Sequence, residues 1–157
     1  MEKCMTDNLT YFVQESNRIE GINRKPLPQE LNAHHQFLAH RWPTVADLVT
    51  FVQAIQPDAQ LRDQVGLNVR VGNHYPPPGG PQIVEALETL LQNITSLSIK
   101  PFPAHCLYET LHPFTDGNGR SGRVLWLWHC ERMGMASAHR MGFLHLWYYQ
   151  SLESVRT

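Results

Sequence analysis

Little in these 157 residues marks them for export, for a membrane or for a nucleic-acid surface. Cysteine is scarce: Cys4, Cys106 and Cys130 form no CxxC pair and are odd in number, which argues against a disulfide framework and for reduced thiols. No window reaches 18 uninterrupted apolar residues, so no membrane span is expected. The opening stretch, MEKCMTDNLTYF, has no apolar core of a signal peptide. A cytoplasmic location is therefore expected, and the Asn-x-Thr triplets at Asn8 and Asn93 are chance matches. Positive charge is not in excess, with 13 Lys and Arg against 14 Asp and Glu for a net charge of −1. That balance speaks against nucleic acid as a direct ligand, although a local phosphate pocket needs only a few cations and amides. There are no internal repeats and no low-complexity tract. What is present is a 42% hydrophobic content, enough for one packed domain that buries about two-thirds of its unfolded surface.

The apolar spacing is mostly helical. Residues 6–21, TDNLTYFVQESNRIEG, read as a helix capped by Thr6 or Asp7 and stopped at Gly21. Leu9, Phe12 and Val13 share a face that continues through Ser16 and Glu20, placing two polar residues where burial is expected. A second helix is expected from Pro28 to about His40. Its His34, His35 and His40 read as a solvated face, since adjacent positions diverge and no acid or thiol completes a metal set. In PTVADLVTFVQAIQP, residues 43–57, Thr44 and Asp47 resemble a capping box, Leu48, Phe51, Val52 and Ile55 form the stripe, and Pro57 closes it.

The period then changes to two. Val65, Leu67, Val69 and Val71 alternate with smaller or polar residues, and Gly72-Asn73 is a turn candidate, so a small hairpin is expected over 65–75. Pro81 suits the first position of a further helix striped by Ile83, Leu87, Leu90 and Ile94. PFPAHCLYETLHPF leads into a loop, and VLWLWHCERMGM leaves it. The five apolar residues from Val124 to Trp128 suit a helix at the centre of a bundle. Trp147, Tyr148 and Tyr149 suggest one more helix. The expected architecture is mainly α, a compact helical bundle with one small β-hairpin, over residues 1–157 as a single domain.

The chemistry is concentrated in LHPFTDGNGRSGR, Leu111 to Arg123. Pro113 disfavours the α conformation at His112 and ends the incoming helix there. The next helix starts near Gly119–Arg120, so DGNG delivers a tight loop to a helix N-terminus. Such an end offers unpaired amides and a positive dipole, and glycine lets a ligand approach the backbone. Arg120 and Arg123 lie three apart on the first turn and can grip neighbouring phosphates, with Asn118 as a neutral donor. Asp116 fits beside an anion when a divalent cation lies between them, and Mg²⁺ on a nucleotide suits that role. Histidine titrates near neutrality, so His112 is suited to accept a hydroxyl proton. Base, metal acid, anion nest and paired arginines together describe phosphoryl or nucleotidyl transfer.

HPFTDGNGRSGR also resembles the Fic-domain signature, His-x-Phe-x-Asp/Glu-Gly-Asn-Gly-Arg-x-x-Arg, at every defined position. NVRVGNHYPPPGG resembles the family's β-hairpin flap, and SNRIEG, residues 16–21, its inhibitory motif Ser/Thr-x-x-x-Glu-Gly/Asn. The resemblance implies the Fic fold, with an N-terminal inhibitory helix over about 6–21, and transfer of AMP from ATP to a Ser, Thr or Tyr hydroxyl of a protein. By position it implies His112 as general base, Phe114 as the loop's anchor and Asp116 as the Mg²⁺ ligand. Gly117, Asn118 and Gly119 would hold the α- and β-phosphates, Arg120 would contact the phosphates, and Arg123 would contact the γ-phosphate. Val69, Arg70, Val71, Gly72, Asn73 and His74 of the flap would hold the target backbone by strand-like pairing. Ser16, Glu20 and Gly21 would be regulatory, with Glu20 forming a buried, bidentate pair with Arg123 that removes it from the γ-phosphate.

The resemblance further implies a bacterial cytoplasmic protein, and a homodimer is one way relatives control the inhibitory helix. Adenine, AMP as the transferred group and a protein acceptor rest on the resemblance rather than on the residues. Two alternatives stand beside transfer: a hydrolase removing AMP from a modified protein at the same site, with Glu20 positioning water, and a nucleotide-binding interaction module without turnover.

Overall fold

Proline and glycine punctuate the chain, and the helices fall between those marks. The computed structural model describes residues 2–135, with side chains from residue 8 onward. Among them are six helices: α1 (Glu2–Ile19), α2 (Pro28–Leu38), α3 (Val45–Ile55), α4 (Pro81–Thr95), α5 (Pro101–Leu111) and α6 (Asn118–Arg132). Proline opens α2, α4 and α5, where its missing N–H would have lacked a helical partner in any case. At α3 the Thr44 hydroxyl accepts the Asp47 N–H and the Asp47 carboxylate accepts the Thr44 N–H, as the capping-box pattern predicts. Helix α1 starts earlier than Thr6 or Asp7, which lie inside it; the preceding Glu-Lys-Cys-Met contains no helix breaker. It ends before Gly21, as expected.

The fold is mainly α, arranged around α6. Every residue from Arg120 to Cys130 is buried, which fits the uninterrupted apolar run from Val124 to Trp128. Helices α5, α2 and α3 pack against α6, and α4 packs on α5 and α3. Phe37, Phe51, Leu87, Tyr108, Phe114 and Trp128 belong to one core cluster. Helix α1 closes over α2 and α6 through a second cluster, in which Leu9, Phe12 and Val13 meet Trp126, Leu127 and Cys130. The Phe12 and Trp126 rings lie parallel at 6.5 Å, and burying each such side chain stabilises by about 1.5–3 kcal/mol. Apolar packing thus holds the helix that carries Ser16 against the helix that carries Arg123. Cys106 and Cys130 are buried free thiols, and burial pushes the Cys130 thiol up to about 12.

Two expectations need correction. The predicted hairpin reduces to a single bridge between Val71 and His74 around Gly72-Asn73. The turn is where expected, but Tyr75 is followed by three prolines, which have no N–H to donate to a returning strand. The histidine face of α2 is also not uniformly solvated. His35 and His40 are exposed, whereas His34 is buried between Phe12 and Phe51, whose rings meet it edge-on. Its Nδ1 donates to the Glu30 carbonyl at 2.7 Å, leaving Nε2 as a buried acceptor without a hydrogen bond. The Trp147–Tyr149 helix lies outside the described residues.

Burial of His34 has a measurable consequence. Desolvation, with a smaller contribution from the cations Arg120 and Arg123, depresses its pKa from the ordinary 6.5 to about 4, against an opposing pull from the Glu30 carbonyl and carboxylate. The unfolded chain therefore takes up a proton before the folded one does. Stability from this site is complete above about pH 6.5 and declines as pH falls toward 4, by up to about 3 kcal/mol. Urea unfolding across that window should show this slope, and a His34→Gln protein should show a flatter one. Identical slopes would remove His34 as the cause.

Candidate active site

The loop between α5 and α6 is fixed before any ligand is considered. His112 caps α5 in a left-handed conformation (φ 51°, ψ 64°), with its N–H donated to the Tyr108 carbonyl at 2.9 Å. The next residues pair with an extended segment after α3. Arg62 donates its backbone N–H to the Pro113 carbonyl, the Thr115 N–H goes to the Gln60 carbonyl, and the Thr115 hydroxyl accepts the Gln60 N–H. Phe114 is buried in the main core cluster, as an anchor should be. Ser121 donates to the Gly117 carbonyl and receives the Tyr108 hydroxyl at 2.7 Å, tying α6 to α5.

Asn118 also braces the loop. Its side chain is buried and clamps the loop: Oδ1 accepts the Phe114 N–H at 2.9 Å, and Nδ2 donates to the Phe114 carbonyl at 2.8 Å. Oδ1 and one of the two Nδ2 hydrogens are thus committed inside the loop, at the point where the backbone amides of α6 begin. Asn118→Ala would strand both Phe114 groups, and each buried group left without a partner costs about 1–3 kcal/mol. A fall of about 2–4 kcal/mol in unfolding free energy is expected. No change in the urea midpoint would mean that the clamp contributes nothing.

These constraints open a cavity of about 290 Å³. Its wall includes His112, Thr115, Asp116 and Gly117–Gly119 of the loop, Glu109 of α5, Glu20 beyond α1, and Arg70 and Val71 of the flap. The exposed Asp116 carboxylate accepts the Gly117 N–H at 2.7 Å. His74 docks the flap on α5 by donating from Nε2 to the Thr110 carbonyl at 3.0 Å. Arg70 bonds the Gly72 carbonyl and stacks on Tyr75. Val69 is half-buried, while Gly72 and Asn73 form the exposed tip.

The arginines of α6 are both engaged with the N-terminal half of the chain. Arg123 is fully buried. Its Nε donates to the Ser16 hydroxyl at 2.8 Å, and one terminal nitrogen bonds both the Ser16 carbonyl at 2.9 Å and Glu20 Oε1 at 2.7 Å. The expected partner is therefore present, but the contact runs through one carboxylate oxygen, and the Glu20 side chain is 31% exposed. The pair is neither bidentate nor fully buried. The same carboxylate lies against Gly119, where an added Cβ would collide with Glu20 Oε1. Glycine at 119 thus lets a carboxylate settle on the α6 N-terminus. Gly21 follows with φ 76° and turns the chain away.

Arg120 faces α2 and α3, bonding Gln56 Oε1 at 3.2 Å and lying 3.8 Å from Glu30 Oε2. Burial lowers its pKa against opposing pulls from Glu20 and Glu30. Burial pushes the Glu30 carboxyl up, but bonds from Arg24 and the Leu27 N–H outweigh it and hold the group low. Asn17 of α1 also reaches Glu30.

Sequence reasoning passed over Glu30, Arg62 and Glu109. Glu30 sits in the first turn of α2, where an acid is expected for capping, and it does accept the Leu27 N–H, but its approach to Asn17 and Arg120 is not visible in its own helix. Glu109 lies in the last turn of α5, three residues before the His112 cap, and lines the same cavity; its closeness in sequence was available. It is buried against Gly122, near His105 Nε2 at 3.9 Å. Nothing local distinguishes Arg62 in LRDQ.

The sequence matches the Fic/DOC family over residues 27–130, well over half of the chain, and the protein belongs to that family. Helix α1, with Ser16 and Glu20, lies outside the matched range. A relative named as a probable protein adenylyltransferase, from Aquifex aeolicus (strain VF5), is 38% identical over 52 residues. Those residues are 32% of this chain and 16% of that protein's length. No solved structure matches the chain. Among the described residues, no helix is long and apolar enough to cross a membrane.

Proposed function

We propose that the protein transfers AMP from ATP to a hydroxyl group of a target protein, and that Glu20 holds this activity in check. The observation that carries the proposal is the meeting, at one cavity, of His112, Asp116 and the N-terminus of α6, with Arg123 tied to Glu20 beside them. His112 would accept the proton of the attacking Ser, Thr or Tyr hydroxyl. That oxygen would bond the α-phosphorus as the bond to the β-phosphate oxygen breaks, and pyrophosphate would leave. The amides of Gly117, Asn118 and Gly119 would receive phosphate oxygens at the positive end of α6. The flap, through Val69 to His74, would hold the acceptor backbone by strand-like pairing.

Asp116 fits a Mg²⁺ ion that arrives with the nucleotide, since that ion takes one or two carboxylates together with substrate phosphates. Among the described residues, no group of three His, Cys, Asp or Glu forms a protein-only cage. When bound, the ion would neutralise charge on the phosphates. Arg120 and Arg123 are the cations for the remaining phosphate charge. In the arrangement described, Glu20 competes for both Arg123 and the helix end, which supports self-inhibition.

Intact-mass measurement after incubation with ATP and Mg²⁺ tests the proposal, using wild type, Glu20→Gly, and Glu20→Gly with His112→Asn. An AMP-sized gain in the single mutant, weak in wild type and absent in the double, is expected. A phosphate-sized gain would change the reaction assigned to the site. ATP binding without any gain in the released protein, across supplied acceptors, would refute transfer. The exposed portion of Glu20 at the cavity also supports a second role, positioning water to remove AMP from a modified protein. In that case Glu20→Gly would lose the ability to strip a pre-modified target.

A further inference from the structure

We propose that Arg62 is a positioning residue, setting the pose of both His112 and the flap with one guanidinium; this rests on the transferase function proposed above. Arg62 has no exposed surface. Its Nε donates to the His112 carbonyl at 2.7 Å, and one terminal nitrogen donates to the Leu111 carbonyl at 2.8 Å. The other terminal nitrogen donates to the Pro77 carbonyl at 2.8 Å and the Leu67 carbonyl at 3.2 Å. The four acceptors are all backbone carbonyls. Burial pulls the guanidinium below its ordinary pKa, and the negative end of α5 favours a cation at this place.

The geometry defines what this arrangement controls. The Leu111 carbonyl belongs to the peptide plane before the His112 Cα, and the His112 carbonyl to the plane after it. Holding both with one planar fork fixes the two backbone rotations of His112, and through them the direction of its Cα–Cβ bond. Fixing is needed there, because a left-handed conformation costs an L-residue about 1–2 kcal/mol. Leu67 and Pro77 bracket the flap tip, so the same group closes the base of the segment that would hold the acceptor. The backbone of Arg62 reinforces the link by bonding Pro113 and Gly80. Base and acceptor are thereby referred to one rigid group, and an error of about 1 Å between reacting groups lowers rate about 10²-fold. Lysine would bring charge without the planar fork.

The test places Arg62→Lys and Arg62→Gln in the 157-residue Glu20→Gly protein. ATP affinity, the single-turnover transfer rate at saturating ATP, thermal melting and hydrogen exchange would be measured. Transfer should fall about 10²-fold in Arg62→Gln and less in Arg62→Lys. ATP affinity should stay within about threefold in both, because the proposed phosphate site is at the α6 N-terminus. Amide exchange should rise in residues 65–75 and at Leu111, His112 and Phe114, the prolines between and after them having no amide hydrogen, and stay level in α4. A lower melting temperature with unchanged transfer below the transition would show a structural role only and overturn the proposal. Uniform or absent exchange changes would do the same, as would failure of both variants to fold. If the Glu20→Gly parent itself transfers nothing, the transferase proposal fails, and the exchange pattern still decides whether Arg62 positions these two segments.

Discussion

A His112→Asn protein, made in the released Glu20→Gly background, is expected to bind ATP normally and to transfer AMP about 10²–10⁴-fold more slowly, the usual effect of losing a general base. Asparagine is the informative replacement because of the backbone. His112 sits at φ 51°, where asparagine and histidine are tolerated better than most residues. Alanine would combine loss of the imidazole with added strain in the same loop, so a slow His112→Ala protein would not separate chemistry from misplacement. In the asparagine variant the Arg62 bonds to the Leu111 and His112 carbonyls and the Asn118 clamp on Phe114 can all persist, because none uses the histidine ring. Melting should therefore stay within about 1 kcal/mol of the parent, the scale of a surface or tolerated change. Single-turnover mass analysis gives the rate. Transfer within threefold of the parent would exclude His112 as the base, and the proton would then need another acceptor at the cavity, of which Glu109 is the nearest along the chain.

Much of this arrangement was legible in the sequence, for reasons that are local. Pro113 ends α5 one residue earlier, the Thr44–Asp47 pair starts α3, and the apolar run from Val124 to Trp128 places α6 at the centre. Each is a rule about neighbouring residues. Glu20 and Ser16 were visible as polar intruders on the Leu9–Phe12–Val13 stripe, and the structure supplies their partner 103 and 107 residues away. What was not legible depends on distant chain. The burial of His34 follows from Phe12 and Phe51 closing over it, which its own helix cannot report. The length of the flap pairing follows from the three prolines after Tyr75, whose missing N–H groups block a returning strand, which the alternation up to Val71 does not register. Arg62 is the extreme case: an ordinary polar residue by sequence, yet bonded to Leu67, Pro77, Leu111 and His112.

Replacing Glu20 by glycine is expected to raise transfer about 10- to 100-fold, within the span of typical coupling energies, and to lower stability at the same time. The two effects have one origin. Glu20 Oε1 bonds Arg123 and also rests at Gly119 on the positive end of α6, so the carboxylate takes both the cation and the place that a phosphate would use. Removing it clears the helix end, but Arg123 is still held by the hydroxyl and the carbonyl of Ser16. Release is therefore incomplete, and adding Ser16→Ala should raise transfer further while Ser16→Ala alone gives a smaller gain. Glu20→Gln separates the components, since it retains the shape over Gly119 without the charge and should fall between wild type and glycine. The stability cost comes from leaving a buried guanidinium without its anion. It should be about 1–2 kcal/mol, below the 3–5 kcal/mol of breaking a fully buried pair, because the Glu20 side chain is partly in water. Activity and melting temperature should thus move in opposite directions across the series, as expected where a stabilising contact restrains a site. Activation without any loss of melting temperature would mean that Glu20 acts on the helix end alone, and equal turnover in wild type and the four variants would remove it as the restraint.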